Sequence, residues 1–173
     1  GPAVTVTGAG WTPTTEWAVQ SLPHLLYIAN ASGAEAFLIT ANTADTLTVA
    51  ADINLESRFS NDADIFIVEA TTVSRLFGST TEEVKFVQAA SKDQADNVYL
   101  RDGDTWKRYW YTGSKWTING LSNNNNEVVF PDEGVFVVRR STDDLALVFT
   151  GSVPVESQLT SIPSGSTFVG SRY

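Results

Sequence analysis

The sequence predicts an all-β protein, either an antiparallel β-sandwich or a pair of small β-barrels, with at most one or two short helical turns. Apolar segments of about five residues alternate with turns rich in Gly, Asn and Asp, as in residues 25–29, 36–40 and 46–50. Nowhere do apolar residues recur with a helical period over ten positions. About a dozen such strands favour packed or closed sheets, because one long open sheet leaves its faces and edges uncovered.

The composition predicts a folded core and excludes several classes of function. The chain has 173 residues, of which 42% are hydrophobic and 18% charged. Its net charge of -9 opposes binding to a phosphate backbone, so a nucleic-acid partner is not expected. The absence of cysteine excludes disulfides, thiolate nucleophiles and zinc-thiolate sites. No apolar segment approaches the roughly 18 residues of a transmembrane helix.

Composition shifts suggest where the chain divides. Gly1 and Pro2 resemble the remnant of a cleaved expression tag. Residues 72–77 are expected to form a short helix that Gly78 ends, and the boundary is placed there. The expected parts are an N-terminal β subdomain, residues 3–78, and a C-terminal one, residues 79–173, unless the two form one continuous domain. Further strands are expected over 83–89 and in a hairpin of 135–140 with 145–150, and the Ser-rich tail, 151–173, is expected to lie along the surface.

The most informative stretch is the aromatic meander over residues 96–118. Asp102-Gly103 and Gly113-Ser114 are dipeptides typical of two-residue hairpin loops. They predict pairing of Tyr99 with Trp106 and of Tyr111 with Trp116. Since side chains alternate across a strand, one face is expected to be core and to carry Val98, Leu100, Tyr109, Tyr111, Trp116 and Ile118.

The opposite face of the meander is the candidate ligand-binding surface. Rings on a rigid sheet can stack on sugar rings, and arginines beside them can bond to hydroxyl groups. The alternative is that this face lies under another layer of the same protein, with the arginines reaching the rim. The candidate binding residues are Tyr99, Arg101, Trp106, Arg108 and Trp110.

The sequence offers no distinct catalytic or metal centre. The single histidine, His24, has apolar neighbours, and the nucleophile turn G-x-S-x-G is missing. Carboxylates such as Glu16, Glu35, Glu69 and Asp104 show no distinguishing pattern. Acidic clusters at 61–64, at Asp93 with Asp96, and at 102–104 offer oxygens for Ca²⁺, but none has EF-hand spacing, and turn chemistry is the better explanation of them. No catalytic residue, metal ligand or cofactor is therefore predicted.

Several segments together resemble an uncharacterised family of bacterial secreted proteins. They are FLITANTADTLTVAADI at 37–53, DIFIVE at 64–69, SRLFG at 74–78, DNVYLRDGDTWKRYWYTGSKW at 96–116 and VVFPDEGVFVVRR at 128–140. The resemblance implies export, to the medium or the cell surface, and it assigns no activity or site residue.

These observations lead to a functional expectation with two alternatives. The chain is expected to be a non-catalytic exported module, structural or interacting, whose partners are other copies of itself. The first alternative is a carbohydrate-binding module that holds a polysaccharide on the meander. The second is a polysaccharide-active enzyme.

Overall fold

The computed structural model describes residues 1–13, 16–19, 21–30, 33–51, 53–131 and 133–149. These residues form two compact units, one over Gly1–Ala70 and one that begins at Thr71. Each unit contains one antiparallel sheet, and the only helical elements in the described ranges are a 3-10 turn and one five-residue helix. The predicted all-β class is confirmed.

The first unit is a six-stranded antiparallel sheet. Its strands are β1 (Ala3–Thr5), β2 (Ala18–Val19), β3 (Leu22–Asn30), β4 (Gly33–Asn42), β5 (Thr46–Ala50) and β6 (Ile65–Glu69). The order is β1-β5-β4-β3-β2, and β6 also pairs with β3. A 3-10 turn, Leu55–Ser57, begins at Asn54, whose side chain accepts a hydrogen bond from the backbone N–H of Glu56 at 3.0 Å.

Strict alternation explains which face of this sheet is buried. Leu26 pairs with Phe37, and Leu47 and Val49 follow on β5, so their side chains share one face. These residues form the core with Ile28, Ile39, Leu55 and Phe59. Val4 on β1 and Ile65 and Ile67 on β6 pack against it. Both edge strands therefore contribute to one core.

The second unit is built on a four-stranded sheet and a short helix. The helix α1 (Val73–Phe77) is followed by β7 (Asn97–Asp102), β8 (Thr105–Tyr111), β9 (Trp116–Thr117) and β10 (Phe136–Val138), in the sheet order β10-β7-β8-β9. Thr72 caps α1 by accepting the N–H of Arg75 at 3.3 Å. The core consists of Val73, Phe77, Val84, Phe86, Val98, Leu100, Tyr109, Tyr111, Trp116 and Val129.

The division of the chain falls between Ala70 and Thr71, whereas the sequence placed it near Gly78. The segment between these positions is α1, whose Val73 and Phe77 lie in the second core. The helix itself and its end at Gly78 agree with the sequence expectation.

Two expected strands are not formed. Residues 83–89 contain no strand. Val87 instead bonds to Asp96: its N–H donates to the carboxylate and its carbonyl accepts the Asp96 N–H, both at 2.9 Å. The expected hairpin of 135–140 with 145–150 is also wrong over its described part, since residues 145–149 form no strand and β10 pairs with β7. The tail, 151–173, lies outside the described residues.

Candidate interaction surface

The two faces of the meander are as the alternation predicts. Val98, Leu100, Tyr109, Tyr111 and Trp116 are all buried in the second core. Ile118, which was expected among them, lies beyond the end of β9 and is exposed. Tyr99, Arg101, Trp106, Arg108 and Trp110 have the opposite parity and lie on the outer face.

The register of the first hairpin differs from the expected one by two residues. Trp106 pairs with Arg101, and Tyr99 pairs with Arg108. The loop residues are Gly103 and Asp104 rather than Asp102 and Gly103, since Asp102 pairs with Thr105. A shift of two residues leaves every side chain on its predicted face. The second hairpin has the predicted pairing of Tyr111 with Trp116.

Three rings and one guanidinium form the open part of the outer face, which we call the aromatic strip: Tyr99, Arg101, Trp106 and Phe136. Phe136 on β10 pairs with Tyr99, and the two rings meet edge to face with centroids 5.9 Å apart. Phe136 is 53% exposed and Trp106 is 36% exposed. The strip thus presents large apolar groups to solvent from a hydrogen-bonded sheet.

Arg101 supplies the charge of the aromatic strip. Its guanidinium carbon lies 5.5 Å from the centroid of the Trp106 ring, in cation-π geometry. Its Nε donates to the carbonyl of Gly103 at 2.6 Å, and its Nη2 lies 3.5 Å from the carboxylate of Asp104. The hairpin loop therefore holds Arg101 against the indole, beside a fully exposed carboxylate.

Arg108 lies on the predicted face, but its side chain makes hydrogen bonds within the unit. Its Nε donates to the side-chain oxygen of Asn97, and its Nη2 donates to the carbonyl of Lys92 at 2.7 Å. The same Nη2 pairs with Asp93 at 3.0 Å. These contacts fasten the 92–97 segment to β8, so Nε and Nη2 of Arg108 are committed within the unit.

Trp110 is also on the predicted face, but it is only 4% exposed. Its cross-strand partner is Thr117, and the loop after β9 lies against it, since a Cβ on Gly120 would meet the indole at 3.9 Å. The loop is held by the Thr117 hydroxyl, which accepts the N–H of Gly120 at 3.0 Å. A ligand on the open surface does not reach Trp110 in this conformation.

The acidic side chains of two of the three clusters, Asp93 with Asp96 and those of 102–104, have partners within the protein. Asp93 pairs with Arg108, and Asp96 pairs with Arg139 at 3.1 Å. Asp102 and Asp104 pair with Lys107 and Arg101. No group of three or more acidic or histidine side chains with metal-site geometry occurs in the described ranges.

Sequence reasoning missed Phe136 as a member of the surface. The alternation in 135–138 places Phe136 and Val138 on one face, which was a usable signal. The sequence did not show that Phe136 pairs with Tyr99, because the two residues are 37 positions apart and neither segment contains a pattern that identifies its partner strand.

Comparison of the chain with protein-family models, with curated proteins and with solved structures finds no match in any of the three. None of the helices in the described part of the chain is long and apolar enough to span a membrane.

Proposed function

We propose that the chain is a non-catalytic interaction module that associates with a second copy of itself through the aromatic strip. The observation that carries this proposal is the exposure of two large rings, Phe136 and Trp106, on the strands that flank Tyr99. Arg101 lies between these rings and the carboxylates of the hairpin loop. Trp, Tyr and Arg are the residue types that dominate binding energy at protein interfaces. Export of the module rests on the family resemblance alone.

A second copy suits the strip because its charges are self-complementary. Arg101 is positive, and the neighbouring Asp104 is a fully exposed carboxylate. In a two-fold arrangement the same patch faces itself, so Arg101 of each copy can meet Asp104 of the other. The apolar rings then cover one another at the centre, where exclusion of water makes the contact strongest.

Carbohydrate binding is the second candidate, and exposed Trp106 is the observation that favours it. An indole with Arg101 and Asp104 beside it offers both a stacking surface and hydrogen-bonding groups. Two features favour the protein contact over it. The planes of Tyr99 and Phe136 are inclined by 65°, so the rings make no flat platform. The guanidinium of Arg101 also occupies one face of the indole.

Sedimentation velocity across a range of protein concentrations tests the proposal. We expect a monomer–dimer equilibrium that Phe136→Thr shifts toward monomer by about tenfold or more in Kd. Leu121→Ser is the control, because Leu121 is also a large exposed apolar residue, 85% exposed, but lies outside the strip. A wild-type protein that stays monomeric throughout, or equal effects of the two substitutions, would contradict the proposal.

A charge-exchange series tests the orientation of the contact. Arg101→Glu should weaken the dimer, and Arg101→Glu combined with Asp104→Arg should restore it. The exposed pair within one chain contributes little to folding, so the restoration reports on the interface.

Affinity electrophoresis in gels that contain neutral polysaccharides separates the two candidates. If the wild type is monomeric and is retarded by a polysaccharide, and Trp106→Ala abolishes the retardation, carbohydrate binding replaces self-association as the proposed function.

A further inference from the structure

The sheet of the first unit has two edges that meet at one cleft. Along β1-β5-β4-β3 and on to β6, β1 is one edge strand and β6 the other. A cleft of about 480 Å³ is lined by residues 3–7, which include β1, and by Ile65 at the start of β6. Both edges therefore border the same cleft, which we call the seam.

Core side chains form the apolar part of this cleft. Ile28, Leu55 and Phe59 line it, and all three are buried members of the first core. Val4 and Ile65 lie beside them and pack against the same core. Thr5, Thr7, Ser60 and Asn61 supply polar groups at the rim. The seam therefore opens onto the hydrophobic interior of the unit.

Backbone groups of both edge strands point into the seam. Val6 donates to Asp45 and Val49 donates to Pro2, so the even-numbered residues of this segment bond to β5. The N–H and C=O groups of Ala3 and Thr5 consequently point away from β5. On the other side, Ala29 donates to Asp64 and Ala70 donates to Pro23.

The same alternation therefore directs the backbone groups of Ile65 and Ile67 away from β3. The two edges thus present a ladder of donors and acceptors to whatever lies between them.

The direction of the strands leaves a place for one further antiparallel strand. The pairings β1-β5, β5-β4, β4-β3 and β3-β6 are all antiparallel, so β1 and β6 run in the same direction. These five strands are an odd number, and an all-antiparallel barrel closes only with an even number. One strand added between β1 and β6 would be antiparallel to both.

We propose that the seam accepts an extended polypeptide segment of a partner protein as this additional strand. Only a polypeptide backbone can pair with both edges at once, which is the mode of binding known as strand addition. Alternate side chains of the guest would enter the cleft, where Ile28 and Phe59 favour apolar residues of moderate size. Glu56, the charged residue among the lining residues, favours Lys or Arg on the guest. The occupant is therefore a segment with alternating apolar and basic or polar side chains.

Hydrogen exchange followed by NMR tests this proposal with a capped peptide of sequence KVTVKVT. We expect the peptide to slow exchange at the amides of Ala3, Thr5, Ile65 and Ile67. The same peptide N-methylated at its valines is the control, since it keeps the side chains and loses backbone donors.

A pair of variants at one position sharpens the test. Thr5→Pro removes the N–H that points into the seam and spares the pairing with β5, whereas Thr5→Val keeps that N–H. We expect Thr5→Pro to bind the peptide about tenfold more weakly than Thr5→Val. Equal affinity of the two variants overturns the proposal, as does an unchanged exchange rate at all four amides. Protection that rises with protein concentration in the absence of peptide also overturns it, because the occupant would then be a second copy of the chain.

Discussion

The carboxylate of Asp96 and the guanidinium of Arg139 form an ion pair of 3.1 Å between segments 43 residues apart in the chain. Asp96 is 1% exposed. It also accepts hydrogen bonds from the backbone N–H groups of Val87 and Arg140. One carboxylate therefore joins the 83–89 segment, where the sequence led us to expect a strand, to the start of β7 and the end of β10.

Asp96→Asn should destabilise the second unit by about 2–4 kcal/mol. The substitution replaces one acceptor oxygen by a donor that faces N–H groups, and it removes the charge that Arg139 balances. Urea denaturation followed by fluorescence measures the effect. Asp144→Asn is the control, because Asp144 is an exposed carboxylate outside the aromatic strip, and its substitution should leave the stability nearly unchanged. Equal losses from the two substitutions would show that Asp96 does not fasten these segments.

Tyr109 should make the protein sensitive to alkaline pH. Burial raises the pKa of its hydroxyl well above the ordinary value, and the Glu127 carboxylate raises it further. In the unfolded chain a tyrosine ionises near about pH 10. The stabilisation is thus fully present below that pH and is lost as the pH rises toward the folded pKa, because the unfolded state releases its proton first.

The measurement for Tyr109 is the urea midpoint between about pH 8 and pH 11. Tyr109→Phe should have a flatter pH dependence than the wild type. If the urea midpoint of Tyr109→Phe falls with pH as steeply as that of the wild type, other groups cause the alkaline destabilisation. Tyr111 is then the next candidate, since burial raises its pKa as well.

Glu83 closes a capping box that the sequence contains but that was not recognised. Its carboxylate accepts the N–H of Ser79 at 2.8 Å and the N–H of Thr80 at 3.3 Å, and its own N–H donates to the Thr80 hydroxyl at 3.4 Å. The bonds from Ser79, backbone first, hold the pKa of Glu83 below its ordinary value. A lowered pKa contributes stability above the unfolded pKa of about 4.3, and that contribution is lost as the pH falls through the folded pKa.

Glu83→Gln should therefore lower the urea midpoint at neutral pH, and its difference from the wild type should shrink in acid. Glu82→Gln is the matched control, since it removes the neighbouring carboxylate and spares the capping box. If the urea midpoints of Glu83→Gln and the wild type differ by the same amount at every pH down to about 3, the charge of the Glu83 carboxylate does not stabilise the turn.

The alternation of apolar residues was sufficient to predict the all-β class and the face of each side chain in the meander. It could not predict the register of the first hairpin, because Gly103 accepts a positive φ at either position of a two-residue loop. The observed pairing of Asp102 with Thr105 differs from the expected one by two residues, so the predicted faces survive the error.

The candidate site was predictable in part for the same reason. Alternation assigns Arg108 and Trp110 to the outer face, and both lie there. It carries no information on what covers that face, and the cover comes from loops: the 92–93 segment bonds Arg108, and the loop at Gly120 lies against Trp110. Phe136 was missed because its neighbour, Tyr99, is remote in sequence. Long-range pairing is the step that single-sequence patterns leave open.

Gly78 and Gly103 allow backbone strain to be separated from steric overlap. Both have positive φ, 98° and 57°, so alanine is strained at either position. A Cβ on Gly78 would lie 2.7 Å from the Cβ of Glu83 and 2.8 Å from the backbone N of Val84, whereas a Cβ on Gly103 meets no atom within 4 Å. The carbonyl of Gly78 also accepts the indole N–H of buried Trp116 at 2.8 Å, so a displacement there reaches the second core.

We expect Gly103→Ala to cost about 1–2 kcal/mol, the strain of a left-handed alanine, and Gly78→Ala to cost about 3–5 kcal/mol because overlap with backbone adds to the strain. Urea denaturation of the two variants measures both values, and the NMR signal of the Trp116 indole N–H in the folded state reports whether the indole has moved. If the unfolding free energies of the two variants agree within about 0.5 kcal/mol, the turn at Gly78 accommodates a Cβ at no added cost. That result would contradict the steric overlap of such a Cβ with Glu83 and Val84.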